Sequence, residues 1–195
     1  EGGVAPSFGC DSTAEKTAGL HQRTAAFSIS PLTLKRGLLF HTPGTGKTLT
    51  TLLLIDSFIA DETRFVRILT RTSTLVNQFL ADLRDNLKLL PNLRHFLLLD
   101  DNLTFTQPNA AGARSGDSVS TMSVTQIGQI LSLATMRLDN GVQRSPRFLI
   151  HTFERVATSW EACKSFMGVP GGTRARDGPV AASRQCALFM DEAHS

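Results

Sequence analysis

A glycine-rich segment carries the clearest chemical signal in the sequence. The segment His41-Thr42-Pro43-Gly44-Thr45-Gly46-Lys47-Thr48 fits the pattern G-x-x-x-x-G-K-[ST] except at its first position, which is His41. Glycines in such a turn allow backbone N–H groups to curl around phosphate oxygens, and a helix that follows directs its positive N-terminus at them. We therefore predict a phosphate-binding loop formed by Thr42, Pro43, Gly44, Thr45, Gly46, Lys47 and Thr48.

The side chains of Lys47 and Thr48 indicate which ligand the loop would bind. The Lys47 ammonium would reach the β- and γ-phosphates and support catalysis, and the Thr48 hydroxyl would ligate Mg²⁺. The expected cofactors are therefore ATP and Mg²⁺. The alternative is a chance glycine-rich turn, against which the apolar strand pattern before the segment and the helical pattern after it both argue.

A second candidate site follows the apolar run 186–190, as Asp191-Glu192-Ala193-His194. A strand over this run would deliver Asp191 to the carboxyl edge of a parallel sheet, where a carboxylate binds Mg²⁺ directly or through water. Glu192 would then orient and deprotonate the attacking water during ATP hydrolysis. Strand ends of this kind are common, so the motif gains its meaning from its pairing with the phosphate loop.

Together these segments resemble motifs I and II of superfamily 2 helicases and translocases, the DEAH-box type of P-loop NTPase. The segment Leu20-His21-Gln22 resembles an upstream element of that family, which implies that Gln22 reads the adenine edge. The segments 71–79 and 150–154 are similar to two strand-end motifs that grip nucleic acid, which implies backbone contacts from Thr72 and Thr152. By the same resemblance, His194 couples the nucleotide site to a downstream Ser-Ala-Thr motif.

The resemblance implies a RecA-like ATP-binding domain over 20–195, preceded by a flexible lead-in over 1–19. Within this family the motifs resemble those of Snf2-like translocases and of the nucleoside triphosphatases of large DNA viruses. DNA is therefore expected as the partner in preference to RNA. His41 and Arg71 depart from the usual family residues. A second RecA-like domain, which supplies an arginine finger worth ~10³–10⁵ in rate, is the other implied partner. Without it, the chain is expected to bind ATP better than it hydrolyses it.

The hydrophobic pattern predicts the elements that would position these residues. Apolar runs predict strands over 37–41, 65–70, 94–100, 147–152 and 186–190, and apolar residues at helical spacing predict helices over 20–29, 48–60, 74–90, 123–138 and 153–166. Because strands alternate with helices, the expected fold is α/β, with a mostly parallel central sheet and helices on both faces. Stretches rich in Gly, Ser and Pro predict insertions at about 106–120 and 168–185.

Composition narrows the class of protein. The 195 residues suit one domain, and the net charge of +3 permits an anionic partner without requiring one. Three widely spaced cysteines and five histidines without ligand spacing argue against disulfides and zinc. No apolar stretch approaches the ~20 residues of a membrane span, and we expect an intracellular protein. Both ends look like cuts in a longer chain. Five arginines could contact phosphates: Arg144, Arg147, Arg174, Arg176 and Arg184. For the three within 168–185, solvated loop charge is an equally good interpretation.

Two other classes of function fit part of the pattern. The segment 43–48 is also common in P-loop ATPases of the AAA+ type, although the long interval from Lys47 to Asp191 argues against that class. A non-catalytic nucleic-acid-binding module, or a decayed gene fragment, is the second alternative. The intact residues Lys47, Thr48, Asp191 and Glu192 argue against decay.

Overall fold

The computed structural model describes residues 17–29, 46–60, 65–109, 111–133, 135–137, 143–158 and 186–190. The strands in these ranges are β1 (Phe65–Thr70), β2 (Thr135–Arg137), β3 (Gln143–Pro146), β4 (Phe148–Thr152) and β5 (Cys186–Met190). The helices there are α1 (Leu20–Ser28), α2 (Lys47–Ile59), α3 (Ser73–Asn86), α4 (Pro91–Phe96), α5 (Val124–Leu133) and α6 (Phe153–Ala157). Short 3₁₀ turns occur at Leu87–Leu89 and Val119–Thr121.

A parallel sheet of three strands lies at the centre of this mixed α/β structure. The strand order is β4-β1-β5, so β1 is hydrogen-bonded on both sides. In register, Thr70 of β1 lies opposite Thr152 of β4, and Leu69 lies opposite Met190 of β5. The carboxyl ends of all three strands therefore meet at one edge of the sheet. β2 and β3 form a separate antiparallel pair.

One continuous apolar core joins the sheet to the helices beside it. Val66 and Ile68 of β1 have no exposed surface, and they pack in a cluster with Phe148 of β4 and Ala187 of β5. The same cluster contains buried side chains of α2, α3, α4 and α5. Helices therefore cover the face of the sheet that carries Val66 and Ile68. The expectation of helices on both faces stays a prediction.

Most predicted elements within the described ranges are confirmed. The strands over 65–70 and 186–190 have the expected bounds, and the strand over 147–152 begins one residue later. The helices over 20–29 and 48–60 correspond to α1 and α2. The strand over 37–41 and the insertion at 168–185 lie outside the described residues.

The strand predicted over 94–100 is wrong, because this stretch begins as a helix. α4 starts at Pro91, whose fixed φ and missing N–H suit the first turn of a helix. The carboxylate of Asp56, on α2, accepts a hydrogen bond from the Leu93 N–H at 2.8 Å and so caps α4 from a neighbouring helix. The apolar run that resembles a buried strand instead buries Leu93 and Leu97 at helical spacing.

The helix predicted over 153–166 is α6, which ends at Ala157. Two other predicted helices also end early. The helix over 74–90 passes into a 3₁₀ turn after Asn86, and Pro91 begins the next helix as well as ending this one. The helix over 123–138 ends at Leu133, and β2 follows it. In both cases the apolar residues continue past the end of the helix, so their spacing alone does not mark its last residue.

The stretch predicted as an insertion, 106–120, is closely joined to the core. Ala113 and Val119 within it are buried in the same cluster as the sheet, as is Phe105 just before it. The Phe105 N–H donates to the Asp117 carbonyl at 3.0 Å, and the Val119 N–H donates to the Leu103 carbonyl at 3.0 Å. The stretch therefore contributes to the core, while many of its polar residues are exposed.

Because Asp56 is buried, we expect its contribution to the free energy of unfolding to depend on pH. Burial raises the pKa of Asp56 above its ordinary value of 3.8, although hydrogen bonds from Leu93 and Asn92 oppose this. The folded chain thus holds this proton more strongly than the unfolded chain, so the contribution of Asp56 to the free energy of unfolding falls as pH rises above 3.8. We expect the free energy of unfolding of the unmodified chain, measured relative to that of Asp56→Asn, to fall as pH rises from about 3 to about 6. Urea unfolding at each pH measures it, and a constant difference would contradict the assignment.

Candidate functional site

The first turn of α2 carries the described part of the predicted phosphate loop. Gly46 precedes the helix with φ 78° and ψ 39°, a left-handed conformation that favours glycine. Lys47 has an exposed side chain, and Thr48 beside it is partly exposed. The turn contains no acidic residue, and the first N–H groups of a helix lack acceptors within the helix. This end of α2 therefore offers N–H donors and a positive charge, as a phosphate group requires.

Gln22 connects α1 to the residue that precedes α2. Its side chain is buried, and its Nε2 donates to the Gly46 carbonyl at 3.2 Å. Its Oε1 accepts from the Gly19 N–H at 2.8 Å and closes the first turn of α1. The family resemblance assigns Gln22 to the adenine edge, and that role stays a prediction. Here the amide nitrogen binds the backbone of Gly46, and the amide oxygen binds the backbone at the start of α1.

The direction of α2 places its first turn at the carboxyl edge of the sheet. Its last carbonyl, that of Ile59, accepts from Arg147 Nη2 at 2.9 Å, and Arg147 lies directly before β4, at the amino end of the sheet. The 13 residues of α2 extend about 20 Å, which is close to the length of the six-residue strand β1. Lys47 and Thr48 therefore face the edge at which the strands end.

Thr72 and Thr152 both lie at this edge, and each N-caps the helix that follows it. Thr72 lies two residues beyond β1 and N-caps α3, where its Oγ1 accepts from the Leu75 N–H at 3.3 Å. Thr152 is the last residue of β4 and N-caps α6, where its Oγ1 accepts from the Arg155 N–H at 3.3 Å. A hydroxyl that accepts in this way keeps its own O–H for donation. Both threonines can therefore cap a helix and donate to an anion at once.

Charged residues of both signs lie near these threonines, because Glu154 in the first turn of α6 is also exposed. Arg71 and Arg155 have exposed side chains. Burial lowers the pKa of His151 below its ordinary 6.5, and the positive charges of Arg155 and Arg67 lower it further. The neutral form of His151 is therefore favoured, and among the described residues Arg71 and Arg155 supply exposed positive charge here.

Other predicted site residues lie outside the described ranges. These are Thr42, Pro43, Gly44, Thr45, Asp191, Glu192 and His194. β5 ends at Met190, the residue before Asp191 in the sequence. Within the described ranges, no group of three or more His, Cys, Asp or Glu side chains could hold a metal ion. Thr48 is the predicted metal ligand whose position is described.

The sequence alone did not predict which residues hold α2 in place. Arg147 was open to interpretation as a phosphate contact, but it is only 9% exposed and donates to Ile59, so that interpretation is wrong. Asp56 caps α4 rather than facing solvent. A charged residue inside the apolar run Leu52-Leu53-Leu54-Ile55-Asp56 is the signal that could have revealed it, because a buried carboxylate requires hydrogen-bond donors.

Comparisons of the chain with protein-family models, with curated proteins and with solved structures each returned no match. Among the described helices, none combines the length and the apolar character that a bilayer crossing requires. The case for function therefore rests on the site residues themselves.

The contact between Gly46 and Gln22 predicts the effect of a single methyl group. A β-carbon at position 46 would overlap the Gln22 Nε2, and it would also have to adopt the left-handed backbone. We expect Gly46→Ala to lower the free energy of unfolding by about 2 kcal/mol or more, of which roughly 1–2 kcal/mol is backbone strain. Urea unfolding measures the change.

A matched glycine separates the two causes. Gly116 also has a left-handed φ, of 93°, but a β-carbon there meets nothing within 4 Å. Gly116→Ala should therefore show the backbone strain alone. Gly46→Ala should lower the free energy of unfolding by more than Gly116→Ala does. In a chain that also carries Gln22→Ala, the two substitutions should lower it equally. Equal losses at the two glycines in the unmodified chain would show that Gln22 does not pack against Gly46 as described.

Proposed function

We propose that this chain is the ATP-binding domain of an ATP-dependent nucleic-acid helicase or translocase, with a RecA-like fold. The observation that carries the proposal is the common edge of the parallel sheet, which the first turn of α2 and the capping threonines share. Lys47 and Thr48 begin α2 at this edge, and Thr72 and Thr152 follow or end two of its strands. A nucleotide and a nucleic-acid backbone are both polyanions, so both suit the donors at this edge.

Nucleotide binding follows from the chemistry of α2. The left-handed Gly46 turns the chain into the helix so that the first N–H groups point outward, and the Lys47 ammonium adds a mobile positive charge. Thr48 supplies a hydroxyl oxygen for Mg²⁺, which when bound would neutralise charge on the phosphates. Asp191 is proposed as a second Mg²⁺ ligand, and Glu192 as the base that orients water.

Nucleic-acid binding follows from the paired threonines. Each hydroxyl is oriented by the N–H that it accepts, so little side-chain freedom is lost when it donates to a phosphate oxygen. β1 and β4 are neighbouring strands, about 4.8 Å apart, and Thr72 lies two residues beyond the end of β1. One continuous backbone could therefore pass both hydroxyls. Arg71 and Arg155 add exposed positive charge at the same edge. His194 is proposed to couple this region to the nucleotide site.

The alternatives differ in their need for nucleic acid. An ATPase of the AAA+ type would use the same Gly46, Lys47 and Thr48 but would not need threonine hydroxyls at the ends of two neighbouring strands. A non-catalytic nucleic-acid-binding module would use the threonines without Lys47. The juxtaposition of both sets favours the helicase or translocase, with DNA as the preferred partner and a second RecA-like domain completing the hydrolytic site.

Replacement of Lys47 tests the nucleotide site. We expect Lys47→Ala to weaken Mg·ATP binding about tenfold to hundredfold, because charge-assisted hydrogen bonds to phosphate contribute roughly 1.5–3 kcal/mol. Isothermal titration of the 195-residue chain measures the dissociation constant. Lys88→Ala is the matched control, since Lys88 is also exposed but lies in the 3₁₀ turn after α3. Equal affinity in the Lys47→Ala and Lys88→Ala variants would refute the assignment of the phosphate loop.

Substitution of the capping threonines by aspartate tests nucleic-acid binding without removing the caps. Aspartate caps a helix at least as well as threonine, but its carboxylate repels phosphate. We expect Thr72→Asp and Thr152→Asp to keep the free energy of unfolding within about 0.5 kcal/mol. Each should weaken binding of single-stranded DNA about tenfold or more, as measured by fluorescence anisotropy at fixed salt.

Serine provides the control for this pair of changes. Thr72→Ser and Thr152→Ser keep both the cap and the O–H donor, so DNA affinity should stay near that of the unmodified chain. If the aspartate variants bind DNA as well as the serine variants do, the edge is not the nucleic-acid site. An unmodified chain that binds Mg·ATP but neither DNA nor RNA would favour an ATPase of the AAA+ type.

A further inference from the structure

Arg147 joins three elements at the end of the molecule opposite to the proposed site. Its Nη2 donates to the Ile59 carbonyl, the last of α2, at 2.9 Å. Its guanidinium lies over the ring of Phe96 in α4, with 5.2 Å between the carbon Cζ and the ring centroid. Its own carbonyl accepts from the Val66 N–H at 2.7 Å. One residue therefore connects the end of α2, the side of α4 and the amino end of β1.

The carbonyl that Arg147 binds is one that the helix cannot satisfy by itself. The last four carbonyls of an α-helix have no N–H partner within it, and the negative end of the helix dipole attracts a cation there. The Arg147 side chain is almost fully buried, which strengthens the attraction because little water screens it. The fork of the guanidinium and its stacking on Phe96 fix its direction. The contact is therefore specific in both charge and geometry.

α2 is thus held at both ends by side chains from elsewhere in the chain. At its start, Gln22 Nε2 binds the Gly46 carbonyl, and at its end Arg147 binds the Ile59 carbonyl. Between them, Asp56 accepts from the Leu93 N–H and so joins α2 to α4. These contacts restrain sliding and tilting of the helix, and Lys47 and Thr48 move with it because they form its first turn.

We propose that Arg147 is a positioning residue for Lys47 and Thr48: it clamps the end of α2 to the start of β4, and so sets where the first turn of α2 lies at the carboxyl edge. This inference rests on the proposed function for its consequence in nucleotide binding, but the clamp itself is a property of the fold. The relevant substitution removes the charge and the fork while keeping a polar side chain, as Arg147→Gln does.

Hydrogen exchange tests the clamp without any ligand. In Arg147→Gln, the backbone amides of α2 should exchange about tenfold faster or more than in the unmodified chain, because a hydrogen bond to a buried charge is lost at the helix end. Arg114→Gln is the charge-matched control, since Arg114 has an exposed side chain outside these contacts. Unchanged exchange in α2 of a folded Arg147→Gln chain would overturn the proposal.

Mg·ATP titration tests the consequence for the site. Arg147→Gln should weaken binding about tenfold, as a small misplacement of a positioned group does, and Arg147→Lys should recover part of it by restoring the charge at Ile59. Ile130→Val, in the core of α5, controls for destabilisation alone and should bind as the unmodified chain does. If Arg147→Gln exchanges faster in α2 but binds Mg·ATP as well as Ile130→Val, the positioning role is refuted.

The two proposals can fail separately. If the unmodified chain does not bind Mg·ATP, the proposed function fails, whereas faster exchange of α2 in Arg147→Gln would still uphold the clamp. Where Arg147→Gln does not fold, Arg147→Lys carries both measurements, because it keeps the charge and loses only the stacking and the fork. The α2 amides of Arg147→Lys should then exchange faster, and its affinity for Mg·ATP should be weaker, than in the unmodified chain. Values equal to those of the unmodified chain would overturn the role of the guanidinium.

Discussion

Parallel pairing of β1 with both of its neighbours is the constraint on which the rest of the molecule depends. In a parallel sheet every strand ends at the same edge, so residues far apart in sequence become neighbours there without any contact of their own. Thr70 and Thr152 lie opposite each other for this reason, although 82 positions separate them in sequence (152 minus 70). Each return from one strand to the next requires a crossover on a face of the sheet. The helix before β1 is α2, and its direction brings Lys47 to the same edge.

The local hydrophobic pattern of the sequence was sufficient to predict strands of the parallel sheet and the helix α2 beside it. β1 and β5 are short apolar runs with buried residues, and their bounds follow from where the polar residues resume. α2 follows from helical spacing after a glycine-rich turn. The threonines at strand ends were found by resemblance, and the structure adds the reason that they suit such positions, since each N-caps the next helix. The α/β class follows from the alternation of these elements.

What could not be predicted depends on contacts between residues distant in sequence. The run over 94–100 is as apolar as a buried strand, and only the carboxylate of Asp56, 37 positions before Leu93, satisfies the start of the helix that forms instead. Arg147 looks like any surface arginine until the end of α2 is beside it. Hydrophobic periodicity indicates which side of a helix or strand is buried. It does not indicate which polar group of a neighbouring element packs against that side. Both errors therefore concern buried charges and their partners.

The carbonyl of Gly46 has a consequence for the other half of its own peptide group. Within the described residues it accepts from Gln22 Nε2 at 3.2 Å, from the Thr50 N–H at 3.0 Å and from the Thr50 hydroxyl at 3.3 Å. A trans peptide is planar, with its C=O and N–H pointing in opposite directions. The donors on the carbonyl therefore hold the Lys47 N–H so that it points in the opposite direction, away from the body of α2. Rotation of the peptide plane would disrupt all three hydrogen bonds, so together they hold this donor in its direction.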